Sequence, residues 1–317
     1  RTLGSKMRRA AQCLASVVRR SPRDEALALS SPEQAVAWSY GELDLKLRQL
    51  ATGLAELGVT RGSVVVSNVP NVAENVQLQL ALQHLGACLA TAKDADALSA
   101  LRERYNVRGA VCTDPSSFLA DPSLPLPPVF LTEPSTEHSG IGFHELAQAP
   151  AHTGDSLAAE DDPSGVYGTA VLSNKAALAL AADASANLAI VPEDKVCVSI
   201  TLMHAFGMGS AIGSALVSGA AAVLPAVGGI RGCGNPTQRA EATLRHLSEQ
   251  RASLLFADTH TLKAFAALNE GAGVAEGALP ALRGGVVKVG SGATFLKPTV
   301  ELAGVQLRTL GKAPVPE

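Results

Sequence analysis

Apolar residues along the chain fall into two alternating periods. Short β-branched runs are separated by stretches with helical spacing, and this repeats from end to end. Val64 to Ser67 reads as a strand. The Asn68-Val-Pro-Asn71 turn follows, then a helix to about Leu85. Ala87 to Ala90, Gly109 to Cys112 and Val129 to Leu131 read as further strands, with Ala95 to Tyr105 helical between the first two. Pro115 to Pro163 is linker-like, because its many prolines restrict the backbone. A second series then begins, with strands expected at Gly165 to Tyr167, Val196 to Ile200, Ala221 to Leu224, Ser253 to Phe256, Gly285 to Val289 and Val305 to Leu310. Helices are expected at Asn174 to Leu188, Phe206 to Val217, Pro236 to Gln250 and Phe295 to Ala303. The pattern predicts an α/β protein of two doubly wound, mainly parallel sheet units, divided as residues 1–150 and 151–317.

With 317 residues, 47% of them hydrophobic, the chain can bury a full core. Its net charge of −3 gives no electrostatic reason to expect nucleic-acid binding. The five cysteines are scattered without metal-ligand or redox spacing, so they read as small buried hydrophobes, and no metal site is expected. Val196 to Ile230 has no charged residue. Its glycines, His204 and Pro225 fit a buried helix followed by a buried strand better than a membrane span. No acidic residue precedes Asp24, whereas Arg1, Lys6, Arg8, Arg9, Arg19, Arg20 and Arg23 are basic, and Met7, Ala11, Leu14 and Val18 form an apolar stripe. Such a segment fits a mitochondrial transit sequence, with processing or missing sequence before Arg1; it equally fits a surface helix of a cytoplasmic protein.

Four segments then narrow the fold. Trp38 to Asn71 has a Tyr-x-Glu-Leu helix start, a Leu-Gly-Val and a strand closing on a Pro-Asn turn. Leu202 to Gly209 reads LMHAFGMG, Ser253 to Leu268 reads SLLFADTHTLKAFAAL, and Leu279 to Ala293 reads LPALRGGVVKVGSGA. In this order they resemble the large amino-terminal domain of the adenylate-forming superfamily, which includes the acyl-CoA synthetases. The resemblance implies a cleft where His204 and Gly207 lie beside acyl and thiol channels, and where Ser291 and Gly292 face adenine. His204 also fits a hydrogen-bonded core residue, and the Gly290 to Ala293 turn a tight strand-to-helix connection.

The departures fall on chemistry. Asp161 to Leu178 reads DDPSGVYGTAVLSNKAAL, similar to the family's phosphate-binding segment with its Gly/Ser/Thr-rich loop and lysine removed. Gly168, Thr169 and Ala170 alone separate the strand end at Val166-Tyr167 from Val171-Leu172-Ser173, which reads as a helix entry. Gly168 and Thr169 would offer two N–H groups to a phosphate at that helix start, though simple helix entry is the stronger reading. Asn174 stands where the family has histidine, and Leu310-Gly311-Lys312-Ala313 stands where it has Tyr-Gly-x-Thr-Glu. The chain given stops at Glu317, before the family's carboxy-terminal domain.

No catalytic residue is therefore nominated; Gly168, Thr169, Ser291 and Gly292 are vestigial cofactor-binding candidates, and His204 and Gly207 vestigial substrate-binding ones. The resemblance with its losses implies an inactive acyl-CoA synthetase-like protein without cofactor, serving as a structural subunit of a larger, mitochondrial complex, with other protein subunits as partners and no membrane span. Two alternatives stand beside it. One is an acyl-CoA synthetase using ATP, magnesium and CoA, completed by a partner or by further sequence. The other is a non-catalytic binder of acyl-CoA or a nucleotide.

Overall fold

The computed structural model describes residues 11–132, 140–168, 170–225, 235–268, 273–289 and 299–310. In chain order the first elements are α1 (Leu14–Arg19), β1 (Leu27–Ser31), β2 (Val36–Ser39), α2 (Tyr40–Glu56), β3 (Val64–Ser67), α3 (Ala73–His84), β4 (Cys88–Thr91), α4 (Ala95–Arg104), β5 (Val107–Cys112), β6 (Val129–Phe130), β7 (Ile141–Gly142) and α5 (Phe143–Leu146). Then come β8 (Pro163–Tyr167), β9 (Ala170–Ser173), α6 (Asn174–Leu188), β10 (Lys195–Ser199), a π-helical segment (Phe206–Ile212), α7 (Gly213–Ser218), β11 (Ala221–Val223), α8 (Pro236–Glu249), β12 (Leu254–Asp258), α9 (Thr259–Ala267), β13 (Gly284–Lys288), β14 (Thr299–Leu302) and β15 (Val305–Leu310).

The strands form a seven-stranded sheet, ordered β7-β6-β5-β3-β4-β8-β9, and an eight-stranded sheet, ordered β14-β15-β13-β12-β10-β11-β1-β2. Both are mainly parallel, with antiparallel hairpins β8–β9, β1–β2 and β14–β15 at edges. Sheet membership does not follow chain order. The β1–β2 hairpin joins the eight-stranded sheet by pairing Leu29 with Ala222, and β8 joins the seven-stranded one by pairing Leu89 with Gly165. Each sheet therefore takes strands from both sides of residue 150.

Local chemistry starts the helices where they begin. Ser39 and Glu42 form a reciprocal capping box on α2, after which Leu43, Leu47, Leu50 and Leu54 make one buried stripe. Helix α3 is buried all round, so it has no polar face to show the amphipathic period. Val76 and Leu80 pack with Val198 and Phe256 of the eight-stranded sheet, whereas Leu78 and Leu82 pack with Val65, Leu89 and Val111 of the other. Leu98 and Leu101 of α4 cover the opposite face of the seven-stranded sheet, against Val64, Val66, Ala90 and Val166. Ala240 and Leu247 of α8 and Phe265 of α9 cover the outer face of the eight-stranded sheet.

Several expectations hold closely: β3, α6 and β15 occupy the residues read for them. The charge-poor stretch after Val196 is a buried strand, helix and strand. Among the described residues no helix is long and apolar enough to cross a membrane. Cys13, Cys88, Cys112 and Cys197 are buried, and Cys233 lies outside the described residues. Leu14 and Val18 of the basic segment are buried with α2, α3 and α7, so the second half of that apolar stripe is core. Met7 lies outside the described residues.

Three expectations are corrected. Val171 to Ser173 is strand β9 and no helix entry, because the chain reverses at Gly168, where φ is +64°, and Val171 and Leu172 pair with Val166 and Gly165. The helix starts only at Asn174, where Ser173 caps it by accepting from the Ala176 N–H at 3.1 Å. Gly168 is thus a hairpin residue, six positions before the helix. Thr299 to Leu302, expected within a helix from Phe295, is β14, held antiparallel to β15 by a tight turn in which Ala303 and Gly304 both have positive φ; residues 295–298 lie outside the described residues. The Pro-rich stretch is no plain linker: β7 and α5 lie within it, and β6 takes the strand expected at Val129.

Candidate functional site

Elements from both sheets meet near the carboxyl ends of β8, β10 and β13, the end where ligands bind in open parallel sheets. Strand β8 delivers Tyr167, the chain after β10 delivers His204, and β13 delivers Lys288. The Tyr167 and His204 rings stack with centroids 6.3 Å apart and 23° between planes. Lys288 Nζ lies 2.6 Å from His204 Nε2.

Buried α3 supports this cluster from below. The Tyr167 hydroxyl donates to Gln79 Oε1 at 3.2 Å; Gln79 Nε2 donates to Asn75 Oδ1 at 2.7 Å and to the Leu202 carbonyl at 3.1 Å. Asn75 Nδ2 in turn donates to the Val69 and Pro70 carbonyls. Asn71 fixes the next stretch, donating to the Ile200 carbonyl at 2.7 Å and accepting from the Leu202 N–H at 2.9 Å. The amide side chains of one helix and the turn before it therefore register the His204 loop against the hairpin strand β8. Buried amides of this kind hold a geometry because each lost partner leaves a costly unsatisfied group.

The Phe206 N–H donates to His204 Nδ1 at 3.0 Å, and Lys288 Nζ lies within 3.2 Å of both ring nitrogens. Burial first, and the Lys288 charge second, hold the imidazole below its ordinary range, so it is neutral near pH 7. Burial also pushes the Tyr167 phenol above its ordinary range. The cluster can offer the Lys288 amine to an oxygen-rich group, with the His204 imidazole beside it; the Tyr167 hydroxyl proton is already given to Gln79. Among the described residues no group of three or more His, Cys, Asp and Glu side chains is disposed to hold a metal ion.

The candidates named from sequence scatter around this cluster. His204 lies within it. Gly207 is buried in the π-helical segment, where a Cβ would stand 2.0 Å from the Thr201 carbonyl oxygen; the glycine lets the segment close onto the preceding turn. Gly168 is exposed at the hairpin tip, with nothing within 4 Å of an added Cβ. Thr169, Ser291 and Gly292 lie outside the described residues. Asn174 is buried, donates to the Ala159 carbonyl at 2.9 Å and leaves its Oδ1 without a hydrogen-bond partner. Tyr167 and Lys288 lay inside quoted segments, yet nothing local marked them. Gln79 carried only the signal of an amide in an apolar helix.

The hairpin geometry bears directly on a nucleotide. Tyr167 pairs with Ala170, so only two sequence positions separate the paired strand ends. A triphosphate cradle needs several consecutive inward N–H groups and usually a lysine, so this turn does not fit that group.

Residues 14–113 match the AMP-binding enzyme family. Over 122 residues the chain is 29% identical to 4-coumarate--CoA ligase-like 1 of Arabidopsis thaliana, a match spanning 38% of this chain and 22% of that protein. Among solved structures it is similar to a benzoate CoA ligase from Burkholderia xenovorans LB400, with a TM-score of 0.73, 19% identity, and coverage of 95% of this chain and 61% of that one. It is also similar to the N-terminal domain of FACL13 from Mycobacterium tuberculosis, with a TM-score of 0.70, 18% identity, and coverage of 94% of this chain and 75% of that one. At these identities the structural likeness speaks for the fold. The chain spans about a fifth of the curated relative and under two thirds of the benzoate ligase.

Proposed function

We infer, from a chain that carries the amino-terminal domain of the adenylate-forming, AMP-binding superfamily, that this acyl-CoA synthetase-like protein does not itself adenylate a carboxylate and serves as an accessory subunit of a larger mitochondrial assembly. The observation that carries the catalytic half is the Tyr167 to Ala170 pairing. Adenylation needs the triphosphate gripped while charge develops at the α-phosphate, and that grip comes from preorganised donors. A two-residue turn has too few. The mitochondrial address rests on the basic, acid-poor segment before Asp24.

The test is carboxylate-dependent exchange of pyrophosphate into ATP by the protein as isolated from its source, across aliphatic and aromatic acids. No exchange is expected, and exchange above background would overturn the catalytic half. Native mass spectrometry of the same material tests the assembly half: stoichiometric partner chains are expected, and a lone monomer would remove it. Import of a fluorescent fusion into mitochondria tests the address, and a diffuse cytoplasmic signal would remove that.

The intact Tyr167, His204 and Lys288 cluster favours a second reading, in which the cleft binds acyl-CoA or a nucleotide without chemistry. Calorimetry with acyl-CoA and with AMP decides it, since absence of heat from both ends this reading.

A further inference from the structure

A cavity lies on the outer face of the seven-stranded sheet, on the side of β8 opposite this cluster. It has a volume of about 410 Å³ and sits between α4 and the β8–β9 turn, with the neighbouring Thr91 and Gly168 on one side. That is within the range of roughly 300–1,000 Å³ over which proteins bind small molecules.

Topology explains why it is there. The crossover from β3 to β4 runs through α3 on the inner face, whereas the crossover from β4 to β5 runs through α4 on the outer face. The chain thus leaves β3 and β4 in opposite directions, and a crevice opens at the carboxyl end of β4, where Thr91 lies. Helix α4 heads toward β5, away from β9, so it still buries Val166 of β8 but leaves the outer face of β9 uncovered. Val171 stands opposite Val166, so it shares the outer face on which Val166 is buried, and it is 51% exposed there.

The lining combines an apolar floor with two cations. Ala97, Ala100 and Leu101 of α4 and the half-buried Tyr105 make the floor, and the small alanines provide the depth. Lys93 and Arg104 flank it, both exposed. The neighbouring Asp94 carboxylate lies 3.7 Å from Lys93, but it caps α4 by accepting from the Ala97 N–H at 2.8 Å. Arg102 is bound to Asp121 and Ser123 and takes no part. No acidic side chain lines the cavity among the described residues.

We propose that this groove is a binding site for a small amphipathic anion, an apolar body bearing a single carboxylate or phosphate head. The floor takes the body, and Lys93 before the start of α4 or Arg104 at its far end takes the head. The site is separate from the His204 cleft and independent of whether that cleft works on ATP.

The test titrates the full chain, with backbone amides assigned, against octanoate and octyl phosphate, using octylamine and octanol as controls. Saturable shifts are expected at residues 93–105 and at Gly168 with one or both anions, and the stronger of the two identifies the head group. The Lys93→Gln, Arg104→Gln double variant, confined to exposed positions, should weaken that anion at least about tenfold, as loss of charge-assisted hydrogen bonds does. Ala100→Trp should block it by filling the floor. Failure of both anions to bind, equal binding of octylamine or octanol, an affinity untouched by the double variant, or shifts confined to His204 and Lys288 would each overturn the proposal.

Discussion

Two glycines close in sequence to Tyr167 and His204 teach opposite lessons. Gly207 is buried, with a Cβ position occupied by a neighbouring carbonyl; Gly168 turns a two-residue hairpin in open solvent. The His204 side is interlocked through α3, Asn71 and the π-helical segment, so it cannot change without disturbing the core. The hairpin tip touches little, and its length is set by pairing alone. A loop that contributes only to ligand binding can be reduced to a minimal turn while the wall opposite, bound into packing, keeps its form.

The sharpest way to break that contrast is to add one methyl at each glycine. Gly207→Ala should lower unfolding free energy by about 3 kcal/mol, the upper end for overpacking, read by urea denaturation. Equal stability of this variant and the parent would mean that the close approach to Thr201 is not a constraint. Acid comes next. Burial first, with His152 and the Arg19 and Arg48 charges, pushes His84 down to about 4 from 6.5. The unfolded chain thus takes up a proton below 6.5 while the folded chain resists until about 4. Stability is lost as pH falls through that window, by up to about 3 kcal/mol, and His204 acts in the same direction. Denaturation at a series of pH values should show a shallower decline for His84→Gln; an unchanged slope would remove this assignment.

Tyr167→Phe should cost about 1–2 kcal/mol, because Gln79 Oε1 loses its donor inside the protein. The same chemical denaturation reads it, and a neutral result would mean that water replaces the hydroxyl. The smallest effect belongs to the tip. Gly168→Ala should cost about 1 kcal/mol from the left-handed backbone alone. A loss as large as that of Gly207→Ala would end the comparison.

Much of the scaffold was legible because its signals are local. Asn174 to Leu188 shows a Ser cap and a long helical pattern, and Val64 to Ser67 is a β-branched run before a Pro-Asn turn. Residues 27–39 were missed as a hairpin, although Ser31-Pro32 marks a turn between two short apolar runs. Val171-Leu172 suits either strand or helix; what decides it is the neighbouring strand, which a short window does not contain. The same holds for Thr299 to Leu302. In the site, His204 was legible from its segment. Lys288 and Tyr167 meet His204 only through the approach of two sheets, and the 83 residues between His204 and Lys288 carry no mark of that contact.

The pairing of β1 with β11 has a consequence for how the chain is made. Leu29 finds Ala222 only after nearly two hundred further residues have been synthesised. At ribosomal speeds of roughly 5–20 residues per second, β1 and β2 wait for on the order of 10–40 s without their sheet. That delay leaves an early apolar hairpin in need of shielding, and it ties completion of the eight-stranded sheet to arrival of its central strands.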